Sequence, residues 1–268
     1  MLRLVKKSIF VLKNYGLRVF LIKAIKWPIN RINLLKQRLN EKKAKKNQNK
    51  VIEKLREFKS ENPEEIFNFS WSFYSGLIRP MQIKEEFLEL LKIFQELNPK
   101  YIMEIGTANG GTLFCFCKLA REDATIISVD LPEGPFGGGY PEWKIPIYQA
   151  FTKGNQKLFL LRKDSHAQET LEEVKKILDN NQLDFLFIDG DHTYEGVKKD
   201  FEMYSPLVRK GGIIAFHDIV YHFEASYEVQ VDKLWENIKS LFKTKELVFN
   251  PKQGWAGIGV MFYGTKHE

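Results

Sequence analysis

The sequence contains few cysteines and no long apolar run. Cys115 and Cys117 are the only cysteines among 268 residues, and they lie two positions apart in a predicted helix, facing different directions. This number and spacing exclude a disulfide framework and a cysteine zinc site, and they are typical of a reducing cytoplasm. The apolar stretch at residues 19–22 is far shorter than the ~20 residues that a membrane-spanning helix needs, and we expect no signal peptide. The length suits one α/β domain with an appendage.

Positive charge is concentrated at the amino terminus. Residues 1–59 hold 18 Lys and Arg against 3 Glu, whereas the rest of the chain holds 23 basic and 31 acidic side chains. The net charge of +7 and the pI of about 9.1 are therefore properties of one segment. We predict a basic amphipathic helical extension over residues 1–60 and an α/β domain over residues 61–268. The domain begins with a helical lead-in over residues 61–98, and its core follows over residues 99–268.

The extension has the pattern of a surface-binding helix. Residues 1–40 interleave apolar clusters, including Phe20 and Trp27, with lysine and arginine. A basic amphipathic helix fits an anionic membrane surface, where each basic residue contributes on the order of 1 kcal/mol. We therefore expect a cytoplasmic protein that attaches peripherally to the inner membrane face. A helix that docks on a partner or on a second copy of the chain stays open, as does a nucleic-acid-binding arm, which is the least favoured alternative.

Five short β-rich runs each end in a carboxylate. The first, YIMEIGTANGG, contains Glu104 and leads directly into a glycine turn, and the later four end at Asp130, Asp164, Asp189 and Asp218. Helical or glycine-rich segments separate the runs, which is the pattern of βαβ units. We predict a three-layer α/β/α sandwich with a mostly parallel sheet. The acids would then share the carboxyl edge of the sheet, where open α/β folds bind their ligands.

The turn after the first run indicates the kind of ligand. It lacks the G-x-G-x-x-G spacing of dinucleotide-binding folds and places Glu104 two residues before Gly106. A carboxylate at this position would repel a diphosphate and attract a cationic group. Gly106 and Gly110 would allow the backbone to approach the ligand closely. The turn therefore predicts a flat, ribose-bearing, cationic ligand.

An ordered set of motifs resembles the class I S-adenosylmethionine (SAM)-dependent methyltransferases. The motifs are MEIGTANGGT, VDLPEGPFGGGYPEWKIP, LLRKDSH, LFIDGDHTYEGVKKDFEMYSPLVRKGGIIAFHD and WAGIGVMF. Within that superfamily they look most like the group that includes cephalosporin-hydroxylase-like proteins and small-molecule or sugar O-methyltransferases. The resemblance implies a Rossmann-like, seven-stranded sheet whose last strand is antiparallel and lies beside the fifth.

The same resemblance implies which residues bind SAM. Glu104, Gly106 and Gly110 would hold the methionine end, Asp130 the ribose hydroxyls, and Asp164 the adenine edge. The full predicted set of cofactor-binding residues is Glu104, Gly106, Thr107, Asn109, Gly110, Asp130, Asp164 and Ser165.

The resemblance also implies a metal site. In metal-dependent O-methyltransferases such as catechol O-methyltransferase, acids that end the fourth and fifth strands hold a divalent cation, which points to Asp189 and Asp218. This chain has His217 before Asp218 where that enzyme has Asp-Asn, so His217 is a ligand, a base or a group that orients Asp218, and His192 has the same alternatives. We expect Mg²⁺, or another divalent cation, on Asp189, His217 and Asp218, and catalytic roles for His192, His217 and Asp189. Asp191 ranks below Asp189 as a ligand, because it is also placed to cap the next helix.

Together these features predict a SAM-dependent O-methyltransferase that acts on a hydroxyl of a sugar, glycan or other small polyol, since vicinal hydroxyls suit metal chelation. Two alternatives stay open: a metal-dependent hydrolase that uses the Asp/His cluster, and a non-catalytic membrane- or nucleic-acid-binding protein on a methyltransferase scaffold. The chain could also form a homo-oligomer. In the long loop after the second run, Tyr140, Trp143 and Tyr148 are expected to form a stacking wall for the acceptor or the adenine. Residues 79–81 are expected to border the site.

Overall fold

The computed structural model describes residues 39–134, 139–223, 225 and 228–265. Its contacts divide the chain into a unit of residues 1–46 and a larger unit of residues 47–268. In the first unit, the described residues 39–46 are helical, and the rest of the predicted basic extension up to residue 38 lies outside the described residues. Residues 47–60, which the sequence assigned to the extension, belong to the larger unit. Within the described ranges, no helix is long and apolar enough to cross a membrane.

The larger unit is built on a seven-stranded sheet with the order β3-β2-β1-β4-β5-β7-β6. Its strands are β1 (Tyr101–Ile105), β2 (Thr125–Val129), β3 (Lys157–Leu161), β4 (Leu183–Ile188), β5 (Val208–His217), β6 (Thr244–Leu247) and β7 (Ile258–Phe262). The first five strands pair in parallel, and β7 lies antiparallel between β5 and β6. The predicted fold, including the antiparallel last strand beside the fifth, is confirmed.

Helices cover both faces of this sheet. They are α1 (Gln48–Glu57), α2 (Pro63–Ser72), α3 (Lys84–Leu97), α4 (Gly111–Leu119), α5 (Ile145–Gln149), α6 (Gln168–Leu178), α7 (Tyr194–Tyr204) and α8 (Val231–Leu241). The sequence sets their ends locally: α2 begins at Pro63 because the Asn62 side chain accepts hydrogen bonds from the backbone N–H groups of Glu64 and Glu65. Short 3₁₀ turns lie at Phe73–Ser75, Glu142–Lys144 and Ser205–Leu207.

The strands read as continuous apolar runs because both faces of the sheet are buried. On one face, the rings of Phe94 and Phe116 pack on Phe185 with centroid distances of 4.8 and 5.2 Å. On the other face, Met103 and Ile105 of β1 join a cluster that extends to Trp235. Side chains of a strand alternate between the two faces, so Glu104 points to the phenylalanine-rich side of the sheet.

The order of the strands determines where a ligand can enter. From β1 the chain proceeds outward through β2 and β3, and it then returns to add β4 and β5 on the opposite side of β1. The loops that follow β1 and β4 therefore diverge and leave a crevice at the carboxyl edge of the sheet, which is where open α/β folds bind ligands.

Candidate functional site

The crevice is a cavity of about 420 Å³ at the carboxyl ends of the parallel strands. Every residue predicted for the cofactor, the metal or catalysis lines it, except Glu104 and Gly110. The predicted residues that the fold brings together there are Gly106, Thr107, Asn109, Asp130, Asp164, Ser165, Asp189, His192, His217 and Asp218. These side chains come from five separate strand ends, so the tertiary structure alone assembles them.

The glycines of the first turn are required by the protein's own packing. Gly106 has a φ of +93°, and a Cβ there would lie 1.9 Å from the carbonyl oxygen of Asp189. Gly110 has a φ of +78°, and a Cβ there would lie 2.7 Å from Cζ of Tyr148. An L side chain fits neither position. Glycine at both positions lets the turn pack directly against the end of β4 and cover the Tyr148 ring. Gly106 thus lines the cavity, whereas Gly110 lies outside the lining and packs on the Tyr148 ring.

Asp130 ties the turn after β1 to the loop after β2. Its Oδ2 accepts a hydrogen bond from the backbone N–H of Ala108 at 2.9 Å, and its Oδ1 accepts one from Gly139 at 3.0 Å. Burial raises the pKa of this carboxyl group, while the backbone hydrogen bonds oppose the shift. Each oxygen keeps a further lone pair for a ligand hydroxyl, so Asp130 can combine a structural role with the predicted contact to ribose.

The segment after β3 forms the far end of the cavity. Asp164 Oδ1 accepts a hydrogen bond from the backbone N–H of His166 at 2.8 Å, and the Tyr204 hydroxyl donates to the carbonyl of Ser165 at 2.7 Å. The His166 imidazole also lines the cavity, and its Nε2 lies 3.2 Å from Oδ1 of the fully buried Asp200. This hydrogen-bonded partner raises the pKa of His166. The segment is therefore fixed in place by α7.

Glu104 and the aromatic residues of the loop after β2 do not face the cavity as the sequence predicted. Glu104 is fully buried and does not line the cavity; its Oε1 accepts a hydrogen bond from Thr112 Oγ1 at 2.8 Å, and Thr112 is the residue on the wall. Burial raises the pKa of Glu104 well above its ordinary value, although the hydrogen bond from Thr112 opposes this.

The expected aromatic wall is absent from the cavity lining: Tyr140 and Tyr148 are buried, and Tyr148 donates to the carbonyl of Ala108. The Tyr148 ring packs beneath the glycine turn, and the Tyr140 ring packs on Tyr148 with ring centroids 4.7 Å apart. Trp143, the third residue of the predicted wall, also lies outside the cavity lining.

Carboxylates and imidazoles converge at the ends of β4 and β5. Ligand atoms of Asp189, His192 and Asp218 all lie within 4.8 Å of one another. His192 Nδ1 lies 2.6 Å from Asp218 Oδ2, and its Nε2 lies 3.9 Å from Asp189 Oδ1. His217 Nδ1 lies 3.1 Å from Asp189 Oδ1, whereas its Nε2 is buried without a hydrogen-bond partner among the described residues. His222, for which no role was predicted, also lines the cavity with Nε2 2.9 Å from Asp218 Oδ1.

The charges in this cluster stabilise one another. Burial acts to lower the pKa of His217, but the nearby charges of Asp218 and Asp189 outweigh it and raise the pKa to about 9. Burial likewise acts to raise the pKa of Asp218, but the charge of His217 and the hydrogen bonds from His192 and His222 hold it well below the ordinary value. Asp218 is thus an ionised carboxylate, as a cation ligand must be.

Asp191 has a structural role. Its Oδ1 accepts hydrogen bonds from both the backbone N–H and the hydroxyl of Thr193 at 2.8 Å, and Thr193 in turn caps α7. One oxygen of this carboxylate is therefore engaged at the start of a helix, although Asp191 also lines the cavity.

Sequence reasoning missed Gln82 and did not single out Trp255. Gln82 is 4% exposed, lines the cavity and donates from Nε2 to Asp189 Oδ2 at 2.7 Å. Trp255 lines the cavity with 46% of its surface exposed, and Arg79 and Met81 of the segment that was expected to border the site line it as well. No local pattern marks Gln82, because its partner is 107 positions away. Trp255 does lie in the motif WAGIGVMF, which was a signal that could have identified it.

Residues 103–219 match the model of a family described as a methyltransferase domain. These residues include most of β1, all of β2 through β5, the loops after the first four strands and the start of the loop after the fifth, and hence most of the cavity wall. The match covers less than half of the chain, and together with the strand order it defines a Rossmann-like methyltransferase fold for this part of the protein.

Among proteins of this fold the chain is similar to O-methyltransferases. It is 24% identical over 216 residues to a caffeoyl-CoA O-methyltransferase of Populus kitakamiensis, covering 81% of this chain and 82% of that protein. The O-methyltransferase TomG of Streptomyces achromogenes, solved in complex with SAM, has the same fold with a TM-score of 0.50 and 14% identity over 76% of this chain and 90% of that one. An uncharacterised protein of Acanthamoeba polyphaga mimivirus is 40% identical over 139 residues, which is 48% of this chain. The chain spans 55% of the length of that viral relative.

Proposed function

We propose that this domain transfers the methyl group of SAM to a hydroxyl oxygen of a sugar, glycan or other small polyol, with a divalent cation assisting. The observation that carries the proposal is the single cavity, which joins the predicted SAM residues on the loops of β1, β2 and β3 to the carboxylate–imidazole cluster on the loops of β4 and β5. The names of similar proteins support the same reaction type, since one is a caffeoyl-CoA O-methyltransferase and another was solved with SAM.

The donor half of the cavity has suitable partners for each part of SAM. Gly106 and Thr107 line the cavity where the sulfonium is expected, and Gly106 has no side chain to block its approach. Asp130 would accept hydrogen bonds from the ribose hydroxyls, and Asp164 with Ser165 would border the adenine. A volume of about 420 Å³ lies in the range typical of small-molecule sites.

The residues of the other half fit a divalent cation. Asp189, His192 and Asp218 offer two carboxylate oxygens and one imidazole nitrogen close enough to share one ion. Carboxylates alone suit Mg²⁺, whereas an imidazole in the set favours transition metals such as Mn²⁺, Fe²⁺ or Zn²⁺. We therefore assign His192 as the third ligand in place of His217, and a transition metal in preference to Mg²⁺. When bound, such an ion would polarise the acceptor hydroxyl and lower its pKa.

The chain's own residues would orient the reactants and receive the proton. The acceptor oxygen forms a bond to the methyl carbon as the carbon–sulfur bond breaks, and S-adenosylhomocysteine (SAH) leaves as a neutral thioether. The hydroxyl proton passes to the carboxylate–imidazole cluster, where His217 and His222 lie beside Asp189 and Asp218. Holding the two substrates on adjoining walls provides the alignment that an in-line displacement needs.

A polyol acceptor is supported by the cavity mouth. Trp255 and Met81 present exposed apolar surface there, with 46% and 62% of each residue accessible. A tryptophan ring suits the apolar face of a sugar, while the adjacent hydroxyls would point towards the cluster. Vicinal hydroxyls are also good chelators of a divalent ion.

Calorimetry and methyl transfer test the proposal. We expect the protein to bind SAH and to transfer labelled methyl from SAM to members of a panel of sugars, glycans and polyols, with activity lost in a chelator and restored best by Mn²⁺. Absence of SAH binding would overturn the central assignment. Full transfer in excess chelator would overturn only the metal, and turnover of phosphate or acyl esters with metal but without SAM would favour the hydrolase.

We also propose that residues 1–40 attach the protein to an anionic membrane, which would bring the domain to glycans assembled there. These residues fall almost wholly outside the described ones, so the support is their basic, apolar sequence pattern. Flotation with vesicles that contain phosphatidylglycerol should carry the full chain, and replacing the lysines and arginines of residues 1–40 with glutamine should abolish flotation. Flotation that survives these replacements would argue against membrane attachment by this segment.

A further inference from the structure

Gln82 is a polar side chain that is buried at the wall of the cavity and only half satisfied. It is 4% exposed, and it precedes α3 on the segment that lies over the glycine turn. Its Nε2 donates to Asp189 Oδ2 at 2.7 Å, whereas its Oε1 is buried and has no hydrogen-bond partner among the described residues. A buried carbonyl without a partner is costly, so its presence at a ligand-binding wall calls for an explanation.

Asp189 fixes the orientation of this amide. An ionised carboxylate can only accept hydrogen bonds, so the nitrogen of Gln82 must face Asp189 and the oxygen must face away from it. The unpartnered group is therefore an acceptor, and only a hydrogen-bond donor can satisfy it. In a cavity that binds SAM and an alcohol, the donors available are the α-ammonium group of SAM and a hydroxyl group.

The surroundings of Gln82 favour the ammonium group. Residues 78–80, just before Gln82, pack on the start of α4: a Cβ on Gly111 would lie 2.4 Å from the backbone nitrogen of Pro80 and 2.6 Å from the carbonyl oxygen of Ile78. Gln82 thus lies where the glycine turn of the donor half meets Asp189. The acid expected to hold the methionine end, Glu104, is buried behind Thr112 and does not reach the cavity. An ammonium bound beside the turn needs another acceptor on this wall.

We infer that Gln82 Oε1 accepts a hydrogen bond from the α-ammonium group of SAM while Gln82 Nε2 holds Asp189. This inference rests on the proposed function, since it requires SAM in the cavity. The amide would then connect the donor to the acid at the end of β4, so that one side chain sets the position of both. Gln82 binds the cofactor directly and positions Asp189.

Two ligands that differ at the amino-acid end test the inference. SAH carries the ammonium group, whereas 5′-methylthioadenosine has the same adenosine and thioether but no amino-acid end. We expect Gln82→Met, which keeps the length and lacks the acceptor, to weaken SAH binding on the order of 10- to 100-fold, as expected for a lost hydrogen bond to a charged group. Binding of 5′-methylthioadenosine, measured by the same calorimetry, should be unchanged. Gln95→Met on α3, the helix that follows Gln82, is the matched control, and it should affect neither ligand because the Gln95 amide donates to the carbonyl of Glu61 at 2.7 Å.

A second variant separates ligand binding from folding. Gln82→Glu keeps an acceptor oxygen, and a proton shared between its carboxyl group and Asp189 can take the place of the amide donor, so this variant should retain the preference for SAH over 5′-methylthioadenosine that Gln82→Met loses. Equal weakening of both ligands in Gln82→Met, or no weakening of either, would overturn the inference, as would loss of the preference in Gln82→Glu. If the unaltered protein binds neither ligand, the proposed function fails as well, and that result differs from one in which SAH binds normally but Gln82 has no effect.

Discussion

His192 Nδ1 lies 2.6 Å from Asp218 Oδ2, which joins the loop after β4 to the loop after β5. This contact turns the other nitrogen of the ring, Nε2, towards Asp189 at 3.9 Å from Oδ1. A hydrogen bond to one imidazole nitrogen is the usual way in which proteins orient the other nitrogen towards a metal. The hydrogen bond between His192 and Asp218 therefore explains why His192 belongs with the two acids.

Replacing His192 should weaken metal binding without removing the cofactor site. We expect His192→Ala to lower the affinity for Mn²⁺ by about 10- to 100-fold, because a ligand nitrogen and the orientation of Asp218 are both lost. Calorimetric titration with Mn²⁺ measures this, and SAH binding without metal should persist. His166→Ala, which removes a cavity imidazole at the opposite end, is the control and should leave the Mn²⁺ titration unchanged. Equal Mn²⁺ affinity in both variants would remove His192 from the ligand set.

The buried Glu104 should make stability fall as pH rises. Its pKa in the folded protein is raised well above the ordinary value of 4.5 by burial, so the folded state holds a proton that the unfolded state releases. The stabilisation is complete below pH 4.5 and is lost as pH rises towards the folded pKa. Glu104→Gln removes this titration, so the free energy of unfolding of the variant relative to the unaltered protein should increase as pH rises from about pH 5 upwards. Urea unfolding across that range measures it.

The control for Glu104 is an exposed glutamate on α3. Glu96→Gln should give a difference in unfolding free energy that stays flat with pH. A flat difference for Glu104→Gln as well would mean that Glu104 titrates normally in the folded protein.

Gly110 should tolerate alanine less well than a glycine with the same backbone angle. Gly110 and Gly211 both have φ near +78°, but a Cβ would lie 2.7 Å from the Tyr148 ring in the first case and 3.5 Å from the Arg209 side chain in the second. Gly211→Ala should cost about 1–2 kcal/mol from backbone strain alone. Gly110→Ala should cost about 1–3 kcal/mol more, because the ring must move. Denaturant unfolding of the two variants measures the difference, and equal costs would show that the Tyr148 ring yields freely.

Replacing Asp130 should weaken the binding of every ligand that carries ribose. The Asp130 carboxylate accepts hydrogen bonds from the backbone N–H groups of Ala108 and Gly139. In Asp130→Asn an amide nitrogen replaces one of the two oxygens, so one of these N–H groups loses its acceptor. We expect SAH and 5′-methylthioadenosine to weaken together, by about tenfold or more, since both contain the ribose. This differs from the selective loss expected for Gln82→Met. Selective loss of SAH in Asp130→Asn would place Asp130 at the amino-acid end instead.

Several parts of the site could be read from local sequence. Alternating apolar runs and helical segments predict parallel strands, and the carboxyl ends of parallel strands share an edge. Asp130, Asp164, Asp189 and Asp218 were therefore expected to line one cavity without knowledge of any contact, and they do. Strand ends alone do not show which acids face a ligand. Glu104 has the same position at a strand end, yet strand alternation directs it into the phenylalanine-rich layer under α4.

Local sequence specifies the succession of strands and helices along the chain, the turn that only glycine allows and the acids at the strand ends. Each of these features depends on residues that are close together along the chain. The tertiary structure decided which imidazole joins the two aspartates, that Glu104 is buried behind Thr112, and that Gln82 meets Asp189. These are contacts between side chains from distant elements, and they depend on rotamers and packing that no local periodicity encodes. The strand-end acids therefore mark where the site lies, and their distant partners determine what each acid can do there.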